Sequence, residues 1–231
     1  MRHFLPLSIL FILSLQVKSQ THGYAVIPLT QSVKKAVALE ASTIQDLHPG
    51  YPAAWVKKYV AVDLKLIHKD EVKRVRGNGF ALNPAQQQLL QQSESGDDIT
   101  LSVTYYPDNN LPAEVKDMAF TLRIVPDNDA EFPGGREQLQ RYLKANAMDQ
   151  LSGLTNLPQV KVRFTIAADG RIQQAHLLER SHLPEVDSLL VKTIAEMPNW
   201  VPATNADGGT TPQELVFIVT NDHCAYKTLM Q

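Results

Sequence analysis

Val160-Lys161-Val162-Arg163-Phe164-Thr165-Ile166, followed by Ala167-Ala168-Asp169-Gly170 and Arg171-Ile172, decides how the second half of this chain folds. Val160, Val162, Phe164 and Ile166 alternate with Lys161, Arg163 and Thr165, the period of a strand with one face buried. Asp169-Gly170 supplies the positive φ that a tight hairpin needs, so Ile172 to Arg180 is the return strand. Downstream, Pro184 opens a helix whose stripe is Val186, Leu189, Leu190, Thr193, Ile194 and Met197. Pro198 stops it, because proline removes a donor and clashes with the preceding turn. A last strand runs from Glu214 to Thr220, apolar without interruption from Leu215 to Val219. Upstream, Glu131-Phe132-Pro133-Gly134-Gly135 enters a helix over Arg136 to Ala147, with Leu139, Tyr142 and Leu143 as its apolar face. The predicted order is α, β, β, α, β.

Glu131-Phe132-Pro133-Gly134-Gly135, the Asp169-Gly170 hairpin and Met197-Pro198-Asn199-Trp200-Val201-Pro202 stand in the order seen in the TonB C-terminal domain, and residues 131–221 resemble that family. The chain departs from the family pattern at Met148 to Pro158 and in the Gly- and Thr-rich loop Thr204 to Pro212. The resemblance implies an αββαβ domain with a three-stranded antiparallel sheet and the last strand at its edge. It also implies a function, since such domains bind a short periplasmic peptide of an outer-membrane receptor by strand addition. Backbone groups left unpaired at a sheet edge accept an extended peptide without a deep pocket. Glu214, Leu215, Val216, Phe217, Ile218, Val219 and Thr220 are therefore the expected partner-binding residues. The alternative for this strand is that Val216 and Ile218 pack beneath the tail 222–231.

The first half is mainly β. Tyr24 to Leu29 and Val33 to Leu39 read as short strands, and His48-Pro49-Gly50-Tyr51-Pro52 as a turn. Val60, Val62, Leu64 and Leu66 alternate with polar or small residues, and Val72 to Arg76 returns after a polar turn. Asn83-Pro84 reads as an N-cap with proline at the first helical position, opening a helix over Ala85 to Gln92. Ile99 to Tyr105 and Met118 to Ile124 alternate as two more strands. The series Gly79-Phe80-Ala81-Leu82-Asn83-Pro84-Ala85-Gln86, Leu89-Leu90, Ser95-Gly96-Asp97 and Phe120-Thr121-Leu122-Arg123-Ile124 is similar to the last domain of the gliding-motility protein GldM, over about residues 55–126. That similarity implies a small β-rich binding or assembly module. The fold class expected is thus α+β: a mainly-β domain over 20–126 with one short helix, a linker at 127–130 marked by Pro126-Asp127-Asn128-Asp129, and the TonB-like domain.

Composition narrows the partners. With 231 residues, 44% hydrophobic and 20% charged, the chain is globular and not disordered. A net charge of −2 without a basic run argues against nucleic acid or an anionic membrane as a partner, because both select clustered Lys and Arg. A single cysteine, Cys224, excludes an internal disulfide framework. Residues 1–19 have a basic start, a 12-residue apolar run from Phe4 to Leu15, and Val17 and Ser19 placed for cleavage before Gln20. A spanning helix needs about 20 apolar residues, so the leader reads as a cleaved signal peptide for export to a Gram-negative periplasm. No cysteine follows the apolar run, so no lipid anchor is expected.

No pattern for catalysis, metal or cofactor stands out. Trp200, between two prolines, is either a partner contact or a lid over the core. His176 and His182 match no common zinc spacing and read as solvent-facing. His223-Cys224 has no third group to orient a thiolate pair. Glu94, Asp97 and Asp98 lack calcium-loop spacing, and Gly77-Asn78-Gly79 lacks the context of a dinucleotide site. The expectation is an exported, non-catalytic binding protein whose partner is an envelope protein or receptor peptide. The open edge also offers a route to a homodimer. The competing expectation is a membrane-anchored TonB-type energy transducer for outer-membrane transport. It requires an uncleaved leader that spans, and coupling to ExbB and ExbD has no support in a chain without a Pro-rich spacer.

Overall fold

The computed structural model describes residues 22–28, 31–108, 114–154 and 157–221. The leader 1–19 and the tail bearing His223 and Cys224 lie outside the described residues. The chain begins with β1 (Gly23–Pro28) and β2 (Ser32–Lys34), then α1 (Lys35–Glu40) and α2 (Ile44–Leu47). A hairpin of β3 (Val56–His68) and β4 (Glu71–Gly77) leads to α3 (Pro84–Leu90), β5 (Asp98–Pro107) and β6 (Lys116–Val125). Next, α4 (Gly135–Leu143) runs through a π-turn at Lys144–Met148 into α5 (Asp149–Leu151). Then come β7 (Val160–Ile166), β8 (Ile172–Glu179), α6 (Pro184–Ala195), the small pair β9 (Ala203–Thr204) and β10 (Thr210–Thr211), and β11 (Gln213–Thr220).

The fold is mixed α+β and rich in strands. One sheet has five strands in the order β2-β6-β5-β3-β4, and all its pairings but the parallel β2–β6 are antiparallel. Its inward residues, among them Val62, Leu64, Ile99, Leu101, Leu122 and Ile124, meet Ala38, Ile44, Leu47, Leu89 and Leu90 of the three short helices in one core. Asn83 caps α3 as its sequence suggests. Gln86 N–H donates to Asn83 Oδ1, and Asn83 N–H donates to Gln86 Oε1, both at 2.9 Å. The stretch read as a strand over Val33 to Leu39 is instead a three-residue strand followed by α1. Lys35-Ala36-Val37-Ala38-Leu39-Glu40 is rich in strong helix formers, and an acceptor from elsewhere in the chain fixes its first turn: Ala36 N–H donates to Asp127 Oδ1 at 2.8 Å.

The second sheet corrects the expectation of three strands. It has four, in the order β1-β11-β7-β8, and all are antiparallel. The added strand comes from the opposite end of the chain: Gly23 pairs with Thr220 and Pro28 with Leu215. The physical reason lies in β11. Leu215, Phe217 and Val219 enter the helical core, while Val216 and Ile218 on the other face are also buried. A strand apolar on both faces is a central strand, and a neighbour on each side satisfies its backbone groups. The chain's own first strand supplies that neighbour.

The stretches 131–135 and 197–202 meet beside the β7–β8 hairpin. Glu131 and Val201 exchange backbone hydrogen bonds at 2.8 and 2.9 Å. Phe132 stands edge-on to Trp200 with ring centroids 5.5 Å apart, and Phe164 lies 6.2 Å away on another side.

Residues 126–130 are not a loose connector. The Asp127 carboxylate accepts from Ala36 N–H on one side and from Ala206 N–H on the other, at 2.8 and 2.7 Å. Asn128 and Thr204 exchange backbone bonds, and Lys34 pairs with Asp129 at 2.7 Å. Gln213 accepts from Ala130 N–H and donates to Asp129, at 2.7 and 2.8 Å. Asp and Asn favour turns for the reason that they serve here, which is that their short side chains reach nearby backbone N–H groups.

Candidate functional site

The residues expected to bind a partner, Glu214 to Thr220, form an interior strand of the four-stranded sheet and not its edge, with β7 on one side and β1 on the other. The place where a peptide strand would add is occupied by the six residues Gly23–Pro28, themselves an extended, antiparallel segment. Tyr24 and Val26, two apart, pack against the helical core. Ala25, between them, faces the opposite side and is buried. The Tyr24 hydroxyl donates to the Gln140 carbonyl at 3.4 Å. At the head of β1, buried His22 places one ring nitrogen 3.2 Å from the Leu151 carbonyl and the other against the Asn221 side chain. His22 therefore clasps the start of β1 to both the end of β11 and the helical layer.

Glu214 is the charged member of the strand, and it points away from the helices. Its carboxylate receives the Arg163 guanidinium on one oxygen and Arg123 Nη1 on the other, at 2.8 Å for the latter. Arg123 belongs to β6 of the other sheet and also binds Asp98 through two donors at 2.9 Å. Asp98 hydrogen bonding raises the Arg123 pKa, against the opposing effect of partial burial, and the charges of Asp98 and Glu214 raise it further. Asp98, Arg123, Glu214 and Arg163 thus form one chain of charge across the two sheets, and it ties the start of β11 to β6.

The sheet's other edge resists strand addition. Pairing of β8 with β7 slips at Lys161/Val162 and again at Arg163/Thr165, and Gln174, within the second slip, has φ 55°. Bulges of this kind twist an edge out of the geometry that a further strand needs.

The remaining candidates have structural occupations. Trp200 is 6% exposed and its Nε1 has no hydrogen-bond partner among the described residues, so its ring fills the core between Phe132 and Phe164. His176 and His182 are both exposed, and His176 Nδ1 faces the Gln174 carbonyl at 2.7 Å. Asp97 is buried, pairs with His68 at 2.8 Å and accepts from Glu94 N–H at 2.8 Å. Among the described residues no group of three or more His, Cys, Asp or Glu is placed to hold a metal. A recess of about 790 Å³ lies between α5 and α6, lined by Leu151, Leu154, Leu183, Val186 and Leu189 with Lys192 among its polar residues. Sequence reasoning missed His22 and the place of β1: Tyr24 to Leu29 reads as a short strand, as β1 is, but nothing local assigns that strand to a sheet or to β11. Among the described residues no helix is long and apolar enough to cross a membrane.

Compared with protein-family models, with curated proteins and with solved structures, the chain matches none. The functional reading rests on the residues and their geometry.

Proposed function

We propose that this chain is an exported, TonB-like binding protein of the cell envelope that takes an extended segment of a partner protein as a strand beside β11. The observation that carries the reading is the way β1 sits on β11: six residues, antiparallel, in the position a peptide ligand would fill. Backbone pairing supplies affinity in such a complex, and side chains at alternate positions supply specificity. The ion chain through Glu214 and the bonds of Gln213 to Ala130 and Asp129 favour the same role, since they hold the start of the acceptor strand in place and lower the ordering cost of binding. Export rests on the leader-like residues 1–19, and the partner is accordingly an envelope protein or a receptor segment. The competing role of anchored energy transducer finds no specific observation in its favour.

Photo-crosslinking tests the proposal. A photoreactive side chain at Val216 or Ile218 of the full-length exported protein is expected to form adducts with an envelope protein. No adducts from either position, with adducts from a control position at the exposed Val72 of β4 in the other sheet, would overturn it.

A further inference from the structure

We infer that β1 is a built-in competitor for the acceptor strand, and that its sequence specifies the class of segment that replaces it. This rests on the strand-accepting reading above. The replacing segment is extended, carries an aromatic and a β-branched residue two positions apart, and has a small residue between them.

Three observations combine. First, β1 attaches to the core like a ligand. Tyr24 and Val26 lie on the helical core, Ala25 is held at 7% exposure on the far face, and Pro28 ends the pairing. A residue larger than alanine at the middle position meets a closed surface, and an aromatic ring at the first reaches the Gln140 carbonyl. These are side-chain selections laid over a backbone ladder, which is how strand-adding peptides are read. Second, β1 is held at its head by one side chain, His22, which touches Asn221 and the Leu151 carbonyl. Third, β1 lies far from its acceptor in sequence and forms no hairpin with it, and its tether is the short link to the next strand. It continues within a few residues into β2, which pairs with β6 of the other sheet. Release of β1 therefore leaves both sheets otherwise intact, and a tethered strand of this kind competes at an effective concentration on the order of millimolar. A free peptide binds well only when the clasp is loosened or when its own contacts exceed those of β1.

The test uses the full chain and, as probe, a fluorescent peptide with the sequence of residues 22–28. The His22→Ala variant is expected to bind it at least ten times more tightly than the wild type. A second variant, Ala25→Cys with Ile218→Cys in a Cys224→Ser background, joins a pair directly opposed across β1 and β11. Facing positions on antiparallel strands have the Cα separation that a disulfide tolerates. Its oxidised form is expected to bind no peptide, and its reduced form to bind at the wild-type level or more tightly. Equal binding by oxidised and reduced forms overturns the inference and moves the peptide to another surface, such as the recess between α5 and α6. Equal binding by wild type and His22→Ala overturns the clasp as the competing element. Absence of binding to every form overturns acceptance in trans. Crosslinks from position 216 that persist in the oxidised form refute competition while leaving the binding function standing.

Discussion

Gly170 sits at φ 83° on the tip of the β7–β8 hairpin, and a Cβ there would lie 2.1 Å from the Trp200 carbonyl oxygen. The close approach follows from two bonds at once. Trp200 N–H donates to the Gly170 carbonyl at 2.8 Å, and Gly170 N–H donates to the Ala167 carbonyl at 2.9 Å. A side chain at this position meets both a disfavoured φ, costing roughly 1–3 kcal/mol, and a backbone clash that no rotamer relieves. Gly170→Ala is expected to lower stability by at least about 2 kcal/mol in chemical denaturation. A change within about 0.5 kcal/mol would show that the Trp200 loop moves freely. A second residue, Asp46, accepts from Ser42 N–H, Ser42 Oγ–H and Thr43 N–H, at 2.9, 3.0 and 2.8 Å. These bonds lower its pKa, led by the Ser42 backbone bond. A carboxylate whose folded pKa is depressed contributes stability above its unfolded value of about 3.9, and loses it as pH falls through the folded pKa. NMR titration of the Asp46 carboxyl is expected to give a midpoint below about 3.9, and a midpoint at or above that value would contradict the capping role. Gly170 was readable from sequence because Asp-Gly between alternating strands has one meaning. Its contact with Trp200 was not, because nothing local relates a hairpin tip to a loop thirty residues on.

Between elements, the alternation of β3, β5, β6 and β7 carried most of the fold, since period two with one apolar face admits few other readings. What failed was pairing. β1 is a short segment whose partner lies at the other end of the chain, and strand patterns state which face is buried but not who the neighbour is. The continuous apolar run of β11 did announce a covered strand, and its edge position came instead from the family resemblance. The π-turn at Lys144–Met148 was likewise invisible, because helical spacing holds on both sides of it. At this scale the charge chain through Glu214 makes a prediction. Removing the carboxylate leaves Arg163 without this ion pair and leaves Arg123 with Asp98 alone. Arg163 is about one-third exposed, so solvent screens part of the loss. Glu214→Ala is expected to cost about 1–2 kcal/mol. Arg123→Ala combined with it is expected to cost less than the sum of the two, since they share one network. Strict additivity in the double-mutant cycle would show that the sheets are not joined here.

For the molecule as a whole, the order of the chain and the order of the sheets disagree, and that disagreement has a thermodynamic consequence. The first strand belongs to the sheet built mostly from the second half, and the segment that looked like a linker is pinned to both. Neither sheet separates from the other without breaking the β1–β11 ladder, the Arg123–Glu214 pair or the Asp127 bridge. Contacts shared by two cores couple their unfolding, so the full chain is expected to melt in one transition, with calorimetric and van't Hoff enthalpies in agreement. Asp127 is the sensitive point, because one carboxylate serves N–H groups on opposite sides of the junction. Asp127→Ala leaves both donors without it, a loss of about 1–2 kcal/mol. The more telling outcome is in cooperativity: the melt of Asp127→Ala is expected to broaden or divide while that of Asp127→Asn, which keeps one acceptor oxygen, stays nearer the wild type. If Asp127→Ala instead melts as sharply as the wild type and merely at a lower temperature, the bridge adds stability without coupling the sheets. The cooperative link would then reside in β1 and the Arg123–Glu214 pair, and the oxidised form of the Ala25→Cys, Ile218→Cys variant should raise the melting temperature of both sheets together.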